Sequence, residues 1–477
     1  MTDRQRLRQS LQDIWGYDQF RYPQAEVIES LLAGRDCLVV LPTGGGKSLC
    51  FQLPALVGDG LTLVVSPLVA LMEDQVQTLR RQNLPAACLH SQLSRAEQKS
   101  VLDHIKIQQL RLLYLSPETL LSPRLWAILR NPTLKLQGLM VDEAHCLVQW
   151  GDSFRPAYQR LGIFRRGLPT GDRLPIAAFT ATADPDQQTQ IIQGLELRQP
   201  QRFQVSPFRP HLGLTVKTVL SEGCRRHQLR RFLDKHPDQS GLIYLRTRTT
   251  AIALAQWLTG QGFNTAEYHG GLAANQRRQL ERRWLQGEIP FVVCTNAFGL
   301  GINKPDTRWV LHYHPPLVLM DYLQEIGRAG RDLKPAHCLT LISEPTGWLD
   351  PGDRQRRQYF LSQQQSTQNQ AQRLASQLPR QGNLSNLKQE FPDLELALAW
   401  LHRRGQLQWL DPFHYQLSPS PKVPPEFSDL KQQFQTMTRY LQTRTCRWQY
   451  ILKVFGDRSE AANHPCGTCD NCLARQR

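Results

Sequence analysis

Leu139-Met140-Val141-Asp142-Glu143-Ala144-His145-Cys146-Leu147-Val148-Gln149-Trp150-Gly151-Asp152-Ser153-Phe154-Arg155-Pro156-Ala157-Tyr158 is the stretch whose reading decides the fold. Three apolar residues run straight into two adjacent carboxylates. A buried parallel strand ending in carboxylates is where a nucleotide-hydrolysing sheet holds its Mg²⁺ and its attacking water. Trp150, Phe154 and Tyr158 follow, interleaved with Arg155. Flat rings beside a guanidinium suit stacking on bases and holding phosphates. One short segment is therefore expected to touch a nucleotide at one end and nucleic acid at the other.

The remaining parts of such a machine lie on either side. Upstream, Leu38-Val39-Val40-Leu41 enters Pro42-Thr43-Gly44-Gly45-Gly46-Lys47-Ser48. Small residues let backbone N–H groups cradle phosphates at a helix N-terminus, where the dipole also favours anions. Lys47 would reach the β- and γ-phosphates of ATP, and the Ser48 hydroxyl would ligate Mg²⁺. The general phosphate-loop pattern wants Gly where Leu41 stands, so the fit is to the Thr-Gly-Gly-Gly-Lys-Ser variant that helicases use. Asp142 would hold Mg²⁺ through water, and Glu143 would orient or deprotonate the attacking water.

The hydrophobic pattern extends this into a fold class. Cys37 to Leu41, Leu61 to Ser66, Leu112 to Ser116, Leu139 to Val141 and Ile176 to Thr180 read as buried strands, with helical spacing between them. A second alternating set comprises Ser240 to Arg246, Thr265 to His269, Phe291 to Thr295, Arg308 to His312 and Cys338 to Ile342. Alternation of this kind implies α/β architecture, with parallel sheets covered on both faces. Two such domains with a cleft between them are predicted, over residues 1–205 and 206–345. Residues 346–425 read as a linker, helices and a hairpin, and 426–477 as a helical, cysteine-bearing module. A Pro-rich break, Ser418 to Pro425, separates these last two.

Composition bounds the partners. Lys and Arg number 57 against 41 Asp and Glu, for a net charge of +16, which favours a polyanion such as nucleic acid. Mean hydropathy is −0.43, and no apolar run approaches the ~20 residues of a membrane span. The N-terminus, Met1-Thr2-Asp3-Arg4-Gln5-Arg6, carries no hydrophobic core behind it; a cytoplasmic protein is expected, nucleoid-associated if bacterial, with no membrane partner. Seven of the 11 cysteines are scattered. The other four, Cys446, Cys466, Cys469 and Cys472, form C-x₁₉-C-x₂-C-x₂-C. Thiolates at that spacing can converge on one tetrahedral ion, giving a closed structural Zn²⁺ site; an iron–sulfur cluster is the competing reading.

With these residues in view, the chain resembles the RecQ family of superfamily-two DNA helicases over roughly residues 15 to 345. Tyr17-Asp18-Gln19-Phe20-Arg21-Tyr22-Pro23-Gln24 resembles that family's adenine-reading motif, which implies pairing by Gln24 and stacking by Tyr17 or Arg21. Tyr22-Pro23 stands where the family usually has Pro-Gly. Ser66-Pro67-Leu68 with Asp74-Gln75, and Ser116-Pro117-Glu118, resemble loops that grip a DNA backbone. Thr180-Ala181-Thr182-Ala183 resembles the motif that links hydrolysis to domain movement. Thr295 to Pro305, with Asn303, and Gln324-Glu325-Ile326-Gly327-Arg328-Ala329-Gly330-Arg331-Asp332 match motifs of the second domain. Arg328 and Arg331 are three apart, so a helix would present them on one face, and either could serve as arginine finger. Gln149-Trp150-Gly151 with Phe154-Arg155-Pro156 is similar to the loop that senses DNA and triggers hydrolysis.

The context of the four cysteines matches the RecQ zinc-binding module, here as a short form ending at that module. In the usual layout the module follows the helicase core directly, with a winged helix after it. Here ~80 residues intervene. Leu384 to Gln389, Leu394 to Arg404 and a hairpin from Gly405 to Leu417 make a winged-helix-like pattern, or else a helical spacer. Trp409, Phe413 and Tyr415 are candidates either to part the strands or to fill its core. The resemblance implies an ATP-, Mg²⁺- and Zn²⁺-using, 3′-to-5′ helicase acting as a monomer on single-stranded, forked or branched DNA in repair and recombination. Alternatives are a DEAH-box RNA remodeller and a DNA-stimulated ATPase clamp that separates no strands.

Overall fold

The protein is represented by a computed structural model that describes residues 3–148, 155–169, 174–298, 302, 304–418, 430–457, 460–461 and 465–476. Two units emerge: Met1–Val205 with Gln363–Phe427, and Ser206–Ser362 with Ser428–Arg477.

The first unit is built on seven parallel strands: β1 (Cys37–Val40), β2 (Leu61–Val65), β3 (Ala86–Leu89), β4 (Leu112–Leu115), β5 (Leu136–Val141), β6 (Ile176–Thr180) and β7 (Gln201–Gln204). Their order is β3-β4-β2-β5-β6-β1-β7. β1, β2, β4 and β6 are buried throughout, which explains why they are legible as unbroken apolar runs. β3 and β7 are the edges: β3, Ala-Ala-Cys-Leu, is apolar but short and built of small residues, and β7, Gln-Arg-Phe-Gln, is polar and mostly exposed. Neither was anticipated. All seven run parallel, with β6 between β1 and β5, so the loops leaving β1 and β5 open on the same edge of the sheet.

The second unit carries six parallel strands: β8 (Leu212–Val219), β9 (Gly241–Tyr244), β10 (Thr265–Tyr268), β11 (Phe291–Cys294), β12 (Trp309–His312) and β13 (Ala336–Ser343), in the order β10-β11-β9-β12-β13-β8. β8 escapes sequence reading because it alternates buried and half-exposed residues at the sheet's edge. Gly241 lets the backbone of β9 lie against Trp309: a Cβ there would sit 2.0 Å from the indole.

Residues 381–417 form β14 (Gln381–Asn383), β15 (Leu407–Trp409) and β16 (His414–Leu417), an antiparallel sheet of order β14-β16-β15, with helices Leu384–Leu387 and Leu394–Arg403. This is the winged-helix-like arrangement. Trp409 and Tyr415 are 4% and 0% exposed and belong to its core. Phe413 packs edge-on against Trp126 at 6.2 Å. These rings fill interiors, so none stands out as a wedge for parting strands. The subdomain rests on segment Pro156–Gly167 of the first unit. Arg160, 4% exposed, donates to Pro412 O at 3.1 Å, pairs with Glu395 at 3.7 Å and lies 5.6 Å from the Trp409 ring. Arg403 donates to Val148 O at 3.3 Å. A guanidinium buried this far destabilises unless it is paired and hydrogen-bonded, so these contacts fix where the subdomain sits.

In the second unit the helical, cysteine-bearing module opens with two helices, Leu430–Gln442 and Arg447–Val454. Thr443 and Thr445 share a hydroxyl contact at 2.9 Å in the break, and the next residue, Cys446, caps the second helix. The break delivers that cysteine to its partners. Trp448, 1% exposed, donates to Leu212 O of β8 at 3.4 Å. Tyr440 donates to the Tyr322 hydroxyl at 2.8 Å. Burying side chains of this size contributes roughly 1.5–3 kcal/mol each. The cysteine module therefore shares the core of the second sheet.

Candidate nucleotide, metal and nucleic-acid sites

β1 ends at Val40, and the chain turns through Pro42–Gly46 into helix Lys47–Val57. Gly44 and Gly46 take φ of +84° and +79°, a conformation that costs an L side chain about 1 kcal/mol or more. At Gly46 a Cβ would also strike the Gln24 amide at 2.2 Å. Gln24 is buried and bridges two loops: its Oε1 accepts from Arg21 N at 2.9 Å and its Nε2 donates to Gly46 O at 3.4 Å. The adenine-reading candidate is thereby fixed against the phosphate loop. Tyr17, 57% exposed, and Arg21, also exposed, are open to stacking. Lys47 Nζ donates back to Leu41 O at 3.1 Å; Thr43, Gly45 and Ser48 are half-buried around it.

β5 delivers the acid pair to the same edge. Asp142 N donates to Val65 O at 2.8 Å, while Glu143 sits in the left-handed region at φ +48°. Burial, and then the Glu143 charge, push the Asp142 carboxyl up to about 7 against the pull of Lys47. Leu41 N, at the start of the phosphate loop, donates to Thr180 O at 3.0 Å, and Thr180 Oγ1 lies 3.1 Å from His145 Nδ1 beside the acid pair, so phosphate loop and acid pair share one edge of the sheet. Carboxylate and hydroxyl oxygens are the hard donors Mg²⁺ takes, and a carboxyl crowded above its ordinary pKa fits a cation site.

Glu143 connects to the next motif. Its Oε2 lies 3.2 Å from His145 Nδ1, and that nitrogen lies 3.1 Å from Thr180 Oγ1. Thr180 Oγ1 donates to Thr182 O at 3.0 Å. All three of His145, Thr180 and Thr182 are buried, so a shift at the acid pair reaches the Thr-Ala-Thr turn through packed polar contacts.

The aromatic segment divides. Gln149, Trp150, Gly151 and Phe154 lie outside the described residues. Tyr158 corrects the expectation of a stacking ring: it is 0% exposed, its hydroxyl donating to Asp142 O at 3.3 Å. It braces the acid pair from behind. Arg155 is 3.6 Å from Glu118, which joins it to the Ser116-Pro117-Glu118 loop. Ser66 is 1% exposed and its hydroxyl has no hydrogen-bond partner among the described residues.

In the second unit, helix Leu319–Ile326 carries Gln324, and the chain leaves the helix at Gly327. Arg328 and Arg331 therefore occupy a turn, not one helix face; Gly330 at φ +59° makes helix continuation impossible there. Arg331 donates to Ile302 O at 2.7 Å, and burial, then the Arg328 charge, lower its pKa to about 9. Both guanidiniums line a small crevice with Trp284 and Lys304. Asn303 lies outside the described residues. Sequence reading missed the device behind this turn. Glu325, 4% exposed, takes two 2.9 Å bonds from Arg246 and stands 3.0 Å from His312 Nε2. Arg246 and His312 outweigh burial and hold the Glu325 carboxyl below its usual value. Charged residues at the ends of β9 and β12 were the available signal.

The four cysteine sulfurs lie within 4.8 Å of one another, with Cys466 and Cys472 at 3.9 Å. A tetrahedral ion with Zn–S bonds of about 2.3 Å sets sulfurs about 3.8 Å apart. Backbone N–H groups of Cys466 and Cys469 point at Cys446 Sγ and Cys466 Sγ, both at 3.3 Å, as suits thiolate acceptors. Asp470 fastens the cluster: it accepts from Arg447 at 2.5 and 2.9 Å and from Val216 N of β8 at 2.8 Å.

Residues 21–191 match the DEAD/DEAH box helicase family, 224–332 the helicase conserved C-terminal domain, and 417–473 the RecQ zinc-binding family. The chain is similar to the ATP-dependent DNA helicase RecQ of Synechocystis sp., with 69% identity over 474 residues and 99% of each chain covered. It is 38% identical over 464 residues to RecQ of Pasteurella multocida, covering 97% of this chain and 61% of that one. The probable helicase RecS of Bacillus subtilis is 40% identical over 338 residues, 70% of this chain and 66% of that one. Among solved structures, S. cerevisiae Dbp5 bound to RNA and ADP BeF3 aligns with a TM-score of 0.59 at 16% identity, over 76% of this chain and 91% of that one. The helicase MrfA bound to DNA aligns with a TM-score of 0.59 at 18% identity, over 88% and 64%. At such identities the structures share a fold.

Proposed function

The chain belongs to the RecQ family of ATP-dependent DNA helicases, and on that premise we propose how its residues divide the work. The observation that carries the reading is the meeting of phosphate loop and acid pair at Thr180, which takes Leu41 N on its carbonyl and faces His145 with its hydroxyl, in a chain whose residues 417–473 match the RecQ zinc-binding family. Gln24 reads adenine, with Tyr17 or Arg21 on the ring. Thr43 to Ser48 cradle the phosphates, and Lys47 exchanges Leu41 O for the β- and γ-oxygens. Ser48 and Asp142 are suited to Mg²⁺, which when bound neutralises phosphate charge. Glu143 orients the attacking water, and His145 and Thr180 pass its position on. Gln324, Arg328 and Arg331 serve the nucleotide from the second domain, one arginine meeting charge on the transferring phosphoryl group. Trp150, Phe154, Arg155 and Asn303 contact DNA; Ser66, proposed from sequence for the same task, is enclosed at 1% exposure and would act only by supporting the loop that follows it. Cys446, Cys466, Cys469 and Cys472 hold a structural Zn²⁺. Movement is 3′-to-5′, on forked and branched DNA of repair and recombination.

Strand displacement on a 3′-tailed duplex tests this, with Lys47→Ala as control. Displacement that requires ATP and a 3′ tail is expected. Strong DNA-stimulated ATPase without displacement would instead identify a clamp, and equal stimulation by RNA an RNA remodeller. Trp150→Ala and Arg155→Ala should lower DNA-stimulated ATPase by about tenfold or more, in line with the cost of losing a stacking or phosphate contact, while ATP binding measured with a fluorescent analogue stays unchanged. Loss of ATP binding in either variant would reassign the segment to the core.

A further inference from the structure

Beyond β13 the chain reads Glu344-Pro345-Thr346-Gly347-Trp348-Leu349-Asp350 before entering helix Gly352–Ala375. The loop closes on one carboxylate. Glu344 accepts from Thr346 N at 2.7 Å, from Thr346 Oγ1 at 2.5 Å and from Leu349 N at 2.9 Å. Trp348 N donates to Thr346 Oγ1 at 3.3 Å, and Gly347 makes the turn at φ +67°. The Thr346 hydroxyl and these amides hold the Glu344 carboxyl down to about 2, so the loop stays tied at any working pH. What this ordered loop presents is Trp348, 86% exposed. Tryptophan is highly buried on average, and an indole held in water by a loop that these four bonds tie down fits a surface made for contact.

The charge beside it is positive and unspent. Arg354, Arg356 and Arg357 lie on the first turns of the following helix. Arg356 is tied to Asp353. Arg354 and Arg357 make no ion pair or hydrogen bond among the described residues. The Arg354 stem lies against Gly347, where a Cβ would meet its Cδ at 3.5 Å. With Thr438 and Gln442 of helix Leu430–Gln442, the two arginines line an open groove next to the loop. Its carboxylates are turned inward: Asp350 to Arg225 at 3.1 Å and to Gly352 N, Asp353 to Ser343 N and Arg356. Burial, with Arg356 and Arg354 opposing the help of Asp353, lowers the Arg357 pKa, the condition an incoming anion relieves.

We propose that Trp348, Arg354 and Arg357 form a further binding site for single-stranded DNA on the second unit, the indole stacking on a base and the two guanidiniums taking the adjoining phosphates. A ring beside paired guanidiniums is the arrangement that binds a strand without reading its sequence. An acidic peptide would use the arginines and leave the indole idle. The site rests on the reading of this chain as a DNA helicase, and its test separates the two. The wild-type chain is irradiated with a dT₂₀ oligonucleotide carrying 5-iodouracil, and crosslinks are mapped by mass spectrometry. A crosslink on the peptide containing Trp348 is expected. Trp348→Ala should remove it and weaken dT₂₀ binding about tenfold, with Trp348→Phe restoring most of the affinity. Arg354→Ala and Arg357→Ala should each flatten the salt dependence by about 0.7 in log–log slope. Thermal melting checks that each variant is folded. Unchanged crosslinking, affinity and slope in folded variants whose ATPase dT₂₀ still stimulates would overturn the site and leave the helicase reading intact. Variants that keep dT₂₀ but lose a poly-glutamate peptide would overturn it in favour of a protein-binding surface. Absence of both DNA binding and stimulation in the wild type would overturn both.

Discussion

Replacing Glu143 with glutamine is expected to lower DNA-stimulated ATP turnover by about 10²–10⁴-fold while ATP still binds. Glu143 follows the last residues of β5 in a left-handed conformation, which turns its side chain away from the strand's own alternation. Its carboxylate stands 3.2 Å from the buried His145 imidazole. Glutamine keeps the length and one acceptor oxygen but cannot take a proton or anchor His145 by charge. The variant also removes a charge that pushes the Asp142 carboxyl up to about 7, so the site's hold on cation and nucleotide should be equal or tighter. That split is diagnostic. Lys47→Ala should lose both turnover and nucleotide affinity, because Lys47 is the cation that meets the phosphates. Steady-state turnover with a DNA cofactor, alongside titration with a fluorescent ATP analogue, measures both quantities. Wild-type turnover in Glu143→Gln would remove the residue from the proposed chemistry.

How far this site could be read from residues alone follows from burial. Strands such as Leu61–Val65, enclosed on both faces, show as continuous apolar runs, and the loops that leave them inherit a fixed place. Hence Thr43 to Ser48, Asp142 and Glu143 could be placed before any coordinates. Edge strands β7 and β8 could not, because they expose part of one face and carry polar residues there; β3 is apolar, but four mostly small residues with no β-branched side chain give little strand signal. Tyr158 was misread for a related reason: ring, guanidinium and glycine neighbours look alike whether the ring faces solvent or, as here, braces a carbonyl at 0% exposure. The Arg328 and Arg331 spacing suggested a helix face, but Gly327 and Gly330 end the helix first. Arg246, His312 and Glu325 are far apart in sequence and meet only through the strand order β9-β12. No local pattern carries that. Arg160 and Arg403 belong to the same class, since their partners are 252 and 255 residues away in the chain.

Cys469→Ser is expected to lose the zinc and to loosen the second unit as a whole, well beyond the module that holds the ion. Cys469 is 0% exposed and packs in one core with Leu212, Leu214, Tyr322, Tyr440 and Trp448. The next residue, Asp470, binds Arg447 and the backbone of β8, and Asn471 donates to Thr443 O and Thr445 O at 2.8 and 2.7 Å. These bonds hold the break between the two helices. Structural zinc contributes roughly 10–16 kcal/mol of apparent binding free energy at neutral pH, part of which stabilises this core. A net loss of only about 3 kcal/mol would lower Tm by about 6–12 °C for a unit of this size. Metal content per chain, thermal melting and tryptic cleavage near residues 443–465 report the change. The nucleotide loop belongs to the first unit, so ATP binding should survive where DNA binding fails. Chelation of the wild-type protein should reproduce the same separation. A colourless protein with one zinc per chain is expected at the outset; visible absorption with iron present would mean a cluster in place of the ion. If Cys469→Ser retained its zinc and melted like the wild type, three thiolates would suffice and the site would be open, free to take a fourth ligand from outside.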